Sequence, residues 1–501
     1  YYDSRKELIY CGRTLFGAPA PKGQEMDDHY FGPLKPKVAA FMAELDQALW
    51  KLGINAKTEH NEVAPSQHEL APIFATTNMA VDQNLLIMEY MRLIAPHHGM
   101  ECLLHEKPYD GVNGSGKHNN WSLTTDGGKN LIDPGKTPRE NTRFLLVLSA
   151  IVQAVDEYQD LLRISVATAG NDHRLGANEA PPAVVSIFLG DELGAVLDAI
   201  ENETPYAGTA KTQMKLGVDV LPKFNRDTTD RNRTSPFAFT GNRFEFRAVG
   251  SKANCSSAMT TLNAMVAEQL IDFKAAVDKE LAAGASVKVA VMKTLKPIIA
   301  EIIDTVCFDG NGYSEEWPKE AQKRGLDIER CVPKMFLENV KPESIEMFTK
   351  LGIFTQDELH ARNEVKFETY VKLVQIEARV LGDLAINHII PAATTYQSML
   401  LKNVAMMKSL FPTTWESFSA PEIAIIKKIA AYNAEIKQLV DAMVEKRKVA
   451  NRLEDGYEKA LAYYEIAESF IAIRRPIDKL EEIVDDNLWP MPKYRELLWI
   501  R

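Results

Sequence analysis

The stretch GVNGSGKHNNWSL, Gly111 to Leu123, decides how the chain is read. Its first seven positions fit the phosphate-binding loop Gly-x-x-x-x-Gly-Lys, but His118 stands where Ser or Thr belongs. Such a loop needs a buried apolar strand before it and a helix after it, whose N-terminal amides face the phosphates. Here the preceding LLHEKPYD carries a charge and a proline where the strand should run. The following residues alternate: His118, Asn120 and Ser122 fall on one side, and Asn119, Trp121 and Leu123 on the other, as on a half-buried strand. The P-loop reading fails. What remains is a glycine turn that delivers His118 onto the polar face of a strand.

Working outward, strands and helices are interspersed without regular βαβ alternation, which favours an α+β fold. Pro36 to Gly53 has apolar residues at three-to-four spacing, Pro at its start and Gly at its end, so it predicts a helix. Ile54 to Phe74 alternates and turns at Pro65-Ser66, which predicts a β-hairpin. Thr77–His97 and residues 140–163 read as helical, residues 165–190 and 231–250 as mixed loop and strand, and the chain from Ser256 onward as mostly helical. Ser419-Ala-Pro-Glu422 has the form of a capping box. After it, Ile425, Ile429, Tyr432, Ile436, Leu439 and Met443 form a seam for packing on another helix. A stop at Asp455-Gly456, a second amphipathic stretch to Arg475 and then Pro476 complete the expectation of an antiparallel helical hairpin, lying either within the protomer or between subunits.

At 501 residues the chain is too long for one ordinary core. Its apolar share of 46% and charged share of 25% are those of a soluble globular protein. A formal charge of -11 argues against nucleic acid or an anionic membrane as partner. Five scattered cysteines suit free thiols in a reducing compartment, and no apolar run approaches the roughly 20 residues that cross a bilayer. A cytoplasmic location is expected. The opening YYDSRKELIYCGR lacks a methionine and reads as the middle of a strand-rich segment, so the chain is expected to be a fragment.

Three further stretches add chemistry to His118. In EHNEVAPSQHEL, Glu62 and Glu69 are an odd spacing apart, yet a turn at Pro65-Ser66 brings them to one side. They are either solvated carboxylates or, with Val63, Ala64, Leu70 and Ile73 around them, partly buried ones that need a cation. In GNRFEFRAVGS, Arg243, Glu245 and Arg247 share one face of a strand backed by Phe244 and Phe246. That face is either a salt-bridge ladder or a metal carboxylate flanked by anion-binding guanidiniums. NDHRLGANEAPP places Arg174 and Glu179 on a glycine-containing loop, and DRNRTS adds Arg231 and Arg233; each is otherwise an ordinary polar loop. Oxygen-rich ligands with a single imidazole and no cysteine cluster suit Mg2+ or Mn2+ better than Zn2+. Arginines beside such ions suit a transferring phosphoryl group. The residues alone thus point to a metal-dependent phosphoryl-transfer enzyme.

Taken together, NEVAPSQHE, NGSGKHNNWS, the Asn178-Glu179-Ala180-Pro181 loop and RFEFR, in that order, resemble the glutamine synthetase family over most of residues 1–385. KPYDGVNGSGKHNNWS and the long helical C-terminus look like its type III, bacterial large-subunit branch. The resemblance implies a catalytic domain over 1–385, an antiparallel sheet with helices, followed by a helical extension over 386–501. It implies ATP-dependent ligation of ammonia to glutamate through a γ-glutamyl phosphate. Glu62 and Glu69 would hold one divalent ion, His118 and Glu245 a second. Asn113 and Gly114 would contact glutamate, Arg174 and Arg247 would grip its carboxylates and the γ-phosphoryl group, and Arg233, Arg243 and Ser122 would face ATP. Glu179 would close over the intermediate and take a proton from ammonium. A ring-shaped homo-oligomer of hexameric rings, as a dodecamer, is the implied assembly.

Two departures accompany the resemblance. The family's Glu-x-Glu strand is expected upstream of Tyr1, and Pro236-Phe237-Ala238 occupies the stretch where a further arginine is expected after Arg233. A glutamate–polyamine ligase of the same family and a non-catalytic relative are the alternatives.

Overall fold

The computed structural model describes residues 32–62, 66–106, 114–171, 175–176, 181–206 and 234–493. These fall into two compact units, one of Asp27–Arg330 with Glu338–Leu359, the other of Cys331–Leu337 with His360–Arg501.

The first unit opens with helix α1, Pro36–Lys51, with Pro36 at its first turn. Its buried residues Val38, Phe41, Met42, Leu45 and Leu49 recur at the helical period and form one apolar stripe. The helix ends as its sequence requires: Gly53, at φ 78°, donates to the Trp50 carbonyl while the Ile54 amide returns to Leu49. Ile54 and Leu49 are both buried beneath that turn, the apolar contact that accompanies a Schellman motif. Strands β1, Ala56–Asn61, and β2, His68–Pro72, pair antiparallel as the expected hairpin. Helix α2, Thr77–Ile94, packs on α1 and shares its core through Ile87 and Ile94.

A four-stranded sheet has the order β3-β6-β5-β4, with β3 Lys117–Trp121, β4 Ile187–Phe188, β5 Phe237–Phe239 and β6 Phe244–Val249. The β3–β6 and β5–β6 pairs are antiparallel as expected; β4 and β5 run parallel, so the sheet is mixed at that edge. Every residue of β6 is buried. Phe237 stacks on Phe244 at 4.6 Å and meets Phe246 edge-on, which fixes one face of β5–β6 as core and leaves the other for polar side chains. Three packed helices cover this region: α3, Thr142–Glu157; α5, Ser256–Ala282; and α6, Val287–Asp304, with α4, Asp191–Glu201, resting on α6. Trp121 of β3 is buried and donates its indole N–H to Asn263 of α5, which pins the strand.

The second unit is helical. Helix α7, Gln356–Asp383, passes through a π-helical turn, Leu384–Ile389, into α8, Ile390–Leu410. Helices α9, Ala420–Ala450, and α10, Gly456–Ile483, form the expected hairpin, and Ile429, Ile436 and Met443 of the seam are buried, with Val440 beside them. Both fully buried isoleucines are therefore spent inside this unit.

Three local expectations are corrected. Ser419 does not form a capping box: its own amide is already bonded to the Trp415 carbonyl, its backbone is not extended, and Glu422 instead accepts from Asn403 of α8. Asp455-Gly456 starts a helix, with the Asp455 side chain accepting the Glu458 amide as N-cap. Pro476 does not end that helix, which runs on to Ile483 with the proline ring buried. No helix among the described residues is long and apolar enough to cross a membrane. The described cysteines, Cys102, Cys255, Cys307 and Cys331, are free thiols.

Candidate active site

Pairing in the hairpin sets His60 opposite Glu69, and the Glu62 amide bonds the Gln67 carbonyl. Opposed residues of an antiparallel pair point to the same face, so His60, Glu62, Gln67 and Glu69 share one side. The odd spacing of the two carboxylates is reconciled by the turn, where Ser66 takes φ 55°. His60 Nε2 lies 2.8 Å from Glu69 Oε2, and His60 Nδ1 is 3.8 Å from Glu62 Oε1. Donor atoms of these three residues lie within 4.8 Å of one another, a grouping able to hold a metal ion. Burial is the largest influence on His60 and lowers its pKa, but the Asn61 carbonyl and the charges of Glu69 and Glu62 together outweigh it and raise the pKa above the ordinary value. The Glu62 side chain is 13% exposed and that of Glu69 39%, so only the first is in the partly buried setting expected from sequence.

On the sheet, β3 pairs with β6 through Asn119–Phe246 and Asn120–Glu245, and the register slips between Lys117 and Asn119. His118 occupies that irregularity, and its Nδ1 lies 3.0 Å from Glu245 Oε1. Arg247, buried like Glu245, brings its Nε to 3.7 Å from the same oxygen. The alternating pattern of β3 holds: Lys117, Asn119 and Trp121 turn away from His118. Lys117 donates to Asn84 and to the Ala253 carbonyl, and burial lowers its pKa.

The donor set fits a hard divalent cation. His118 Nδ1 and Glu245 Oε1 are in direct contact at 3.0 Å, an imidazole and a carboxylate of the kinds such an ion takes. Carboxylates with few imidazoles and no thiolate are the ligands such ions take.

Among the expected site residues, Glu62 with Glu69 and His118 with Glu245 and Arg247 are thus brought together. Gly114 is buried at the start of the segment leading into β3. Arg243 and Ser122 are exposed, and Arg243 precedes β6 instead of lying in it, because its carbonyl accepts from Thr240 in the turn through Gly241. Asn113, Arg174, Glu179 and Arg233 lie outside the described residues. Sequence reasoning passed over His60, Gln67 and Glu106. His60-x-Glu62 is the alternation that would have placed His60 on the carboxylate face; Glu106, a buried acid receiving the Ser251 amide, left no such signal.

The chain matches the family description "glutamine synthetase, catalytic domain" over residues 15–175 and "glutamine synthetase C-terminal domain" over residues 290–408. It is 51% identical to a glutamine synthetase of Bacteroides fragilis, with all of this chain aligned to 69% of that protein. The chain belongs to the glutamine synthetase family. A glutamine synthetase of Butyrivibrio fibrisolvens is 45% identical, with 70% of its length covered. A type-3 glutamine synthetase of Dictyostelium discoideum is 42% identical, with 68% covered. In this member of the family, the segment from Gly114 leads into a strand, Lys117–Trp121, that presents His118.

Proposed function

We propose that Glu62, Glu69, His118 and Glu245 hold the divalent ions with which this glutamine synthetase ligates ammonia to L-glutamate using ATP. The γ-carboxylate oxygen of glutamate attacks the γ-phosphorus of ATP, ADP leaves, and ammonia then attacks the acyl carbon and expels phosphate. Two or more Mg2+ or Mn2+ ions supply neutralisation of the phosphate charge. Glu62 and Glu69 serve the acyl-phosphate side, His118 and Glu245 the nucleotide side. Asn113 and the Gly114 backbone bind glutamate. Arg174 and Arg247 hold its carboxylates and the γ-phosphoryl group, while Arg233, Arg243 and Ser122 face ATP. Glu179 closes the loop over the intermediate and accepts the proton that ammonium sheds. The catalytic domain is assigned to residues 1–385 and the helical extension to 386–501. The enzyme works in the cytoplasm as a ring-shaped homo-oligomer, hexameric rings forming a dodecamer.

The observation that carries this reading is the grouping of His60, Glu62 and Glu69 donor atoms within 4.8 Å of one another, a set able to hold a metal ion, with His118 and Glu245 in contact at 3.0 Å beside the buried Arg247 on the sheet. Phosphate release from ATP in the presence of glutamate, assayed with ammonium and with polyamines, tests it. Turnover with ammonium is expected; turnover with polyamines alone makes the protein a glutamate–amine ligase.

A further inference from the structure

The hairpin that carries Glu62 and Glu69 and the sheet that carries His118 and Glu245 are separate, yet one side chain joins them. Gln67 Nε2 donates to the Ser115 carbonyl at 3.0 Å, and Gln67 Oε1 accepts the Ser115 amide at 3.0 Å. A single primary amide thus engages both main-chain groups of one residue, a two-point contact that fixes which end of the amide is nitrogen. The same Nε2 reaches the carbonyls of Glu106 at 3.3 Å and His105 at 3.4 Å.

Three consequences follow from where Ser115 sits. Its N–H belongs to the Gly114–Ser115 peptide, which is planar and trans, so capturing that N–H sets the direction of the Gly114 carbonyl on the opposite side. Its hydroxyl lies 3.4 Å from His118 Nε2, the ring nitrogen remote from Glu245. At the other end, the Gln67 carbonyl receives the Glu62 amide at 2.8 Å. One residue therefore holds the backbone of a carboxylate in the hairpin, the peptide plane of Gly114 and, through Ser115, the approach to His118. A carboxylate, which only accepts, could not replace it, because both a donor and an acceptor are used on Ser115.

We propose that Gln67 is a positioning residue of the glutamine synthetase site, fixing the spacing between the two metal-binding pairs and the orientation of the Gly114 carbonyl. This rests on the assignment of Glu62, Glu69, His118 and Glu245 as metal-binding groups and of Gly114 as a glutamate contact. Gln67 touches neither ion nor substrate. Its removal therefore acts on second-ion affinity and on glutamate binding more than on folding.

The test compares the full protein with Gln67→Ala, Gln67→Glu and, as a control, Glu245→Gln. Mn2+ binding is followed by electron paramagnetic resonance, KM for glutamate and kcat by phosphate release, and folding by thermal melting. Expected for Gln67→Ala is a loss of about tenfold in affinity for the second Mn2+, with KM for glutamate raised by a similar factor, the range usual for removal of an outer partner. Gln67→Glu, which keeps the acceptor and loses the donor, is expected to be impaired as well, and both variants should melt close to wild type. Unchanged Mn2+ binding and KM in both variants overturn the proposal, as does a lowered melting temperature with unchanged KM, which marks an ordinary structural bond. If Glu245→Gln binds Mn2+ as wild type does, the metal assignment itself fails, an outcome distinct from failure of the Gln67 role.

Discussion

His118 Nδ1 and Glu245 Oε1 meet at 3.0 Å across the β3–β6 pair, with Glu245 buried and the Arg247 Nε 3.7 Å from the same oxygen. Replacing Glu245 by Gln keeps the shape and removes the charge. Mn2+ affinity at this pair should fall by more than about tenfold, since losing a ligand costs at least what losing an outer-shell partner does. Folding should survive, because a neutral amide is cheaper to bury than a carboxylate. A Mn2+ titration that matches wild type would count against the pairing as a metal site.

A second expectation concerns pH. Burial, and then the neighbouring Asp46 carboxylate, push Glu59 up to about 7. The native state therefore favours the protonated acid. The stability this brings is full below the ordinary carboxylate range and is lost as pH rises through about 7. Glu59→Gln should melt about 2 °C above wild type at pH 8, with the difference shrinking towards pH 5. Parallel melting curves for the two proteins at all pH values would refute this.

Gly250 follows β6, and a Cβ placed there would lie 2.5 Å from Glu106 Oε1. That oxygen receives the Ser251 amide, so the carboxylate cannot move without leaving a donor unmet. Gly250→Ala should destabilise by about 1–3 kcal/mol, measured by urea denaturation. A change within about 0.5 kcal/mol would mean the Glu106 contact yields freely.

Ile436 is fully buried in α9. Ile436→Ala should cost about 2–5 kcal/mol through lost burial and the cavity left behind. Sedimentation should show the assembly unchanged. A change in assembly size without loss of melting temperature would place the seam between subunits.

The fold was legible where local chemistry decides it. Gly53 ended α1 as its sequence requires, Ser66 turned the hairpin, and the alternation after Gly116 gave β3 with Trp121 inward. The candidate site was legible as residue types: Glu62, Glu69, His118 and Glu245 stood out as candidates from charge on strands with apolar neighbours. Their partners were not, because strand register is set by pairing between distant segments, which no local pattern encodes. That is why the slip that aims His118 at Glu245, and the reach of Gln67 to Ser115, emerge only in three dimensions. Ser419 and Pro476 failed for the opposite reason. Their local signals were real, but the preceding turn at Trp415 and the packing of α10 overrode them.

The most direct measurement is phosphate release from ATP by the full natural chain, with glutamate and ammonium added singly and together, in wild type and His118→Ala. Release that requires both substrates and is lost in the variant is the expected result. ATP turnover indifferent to glutamate, or undiminished without His118, would contradict the assignment of this cluster as the synthetase centre.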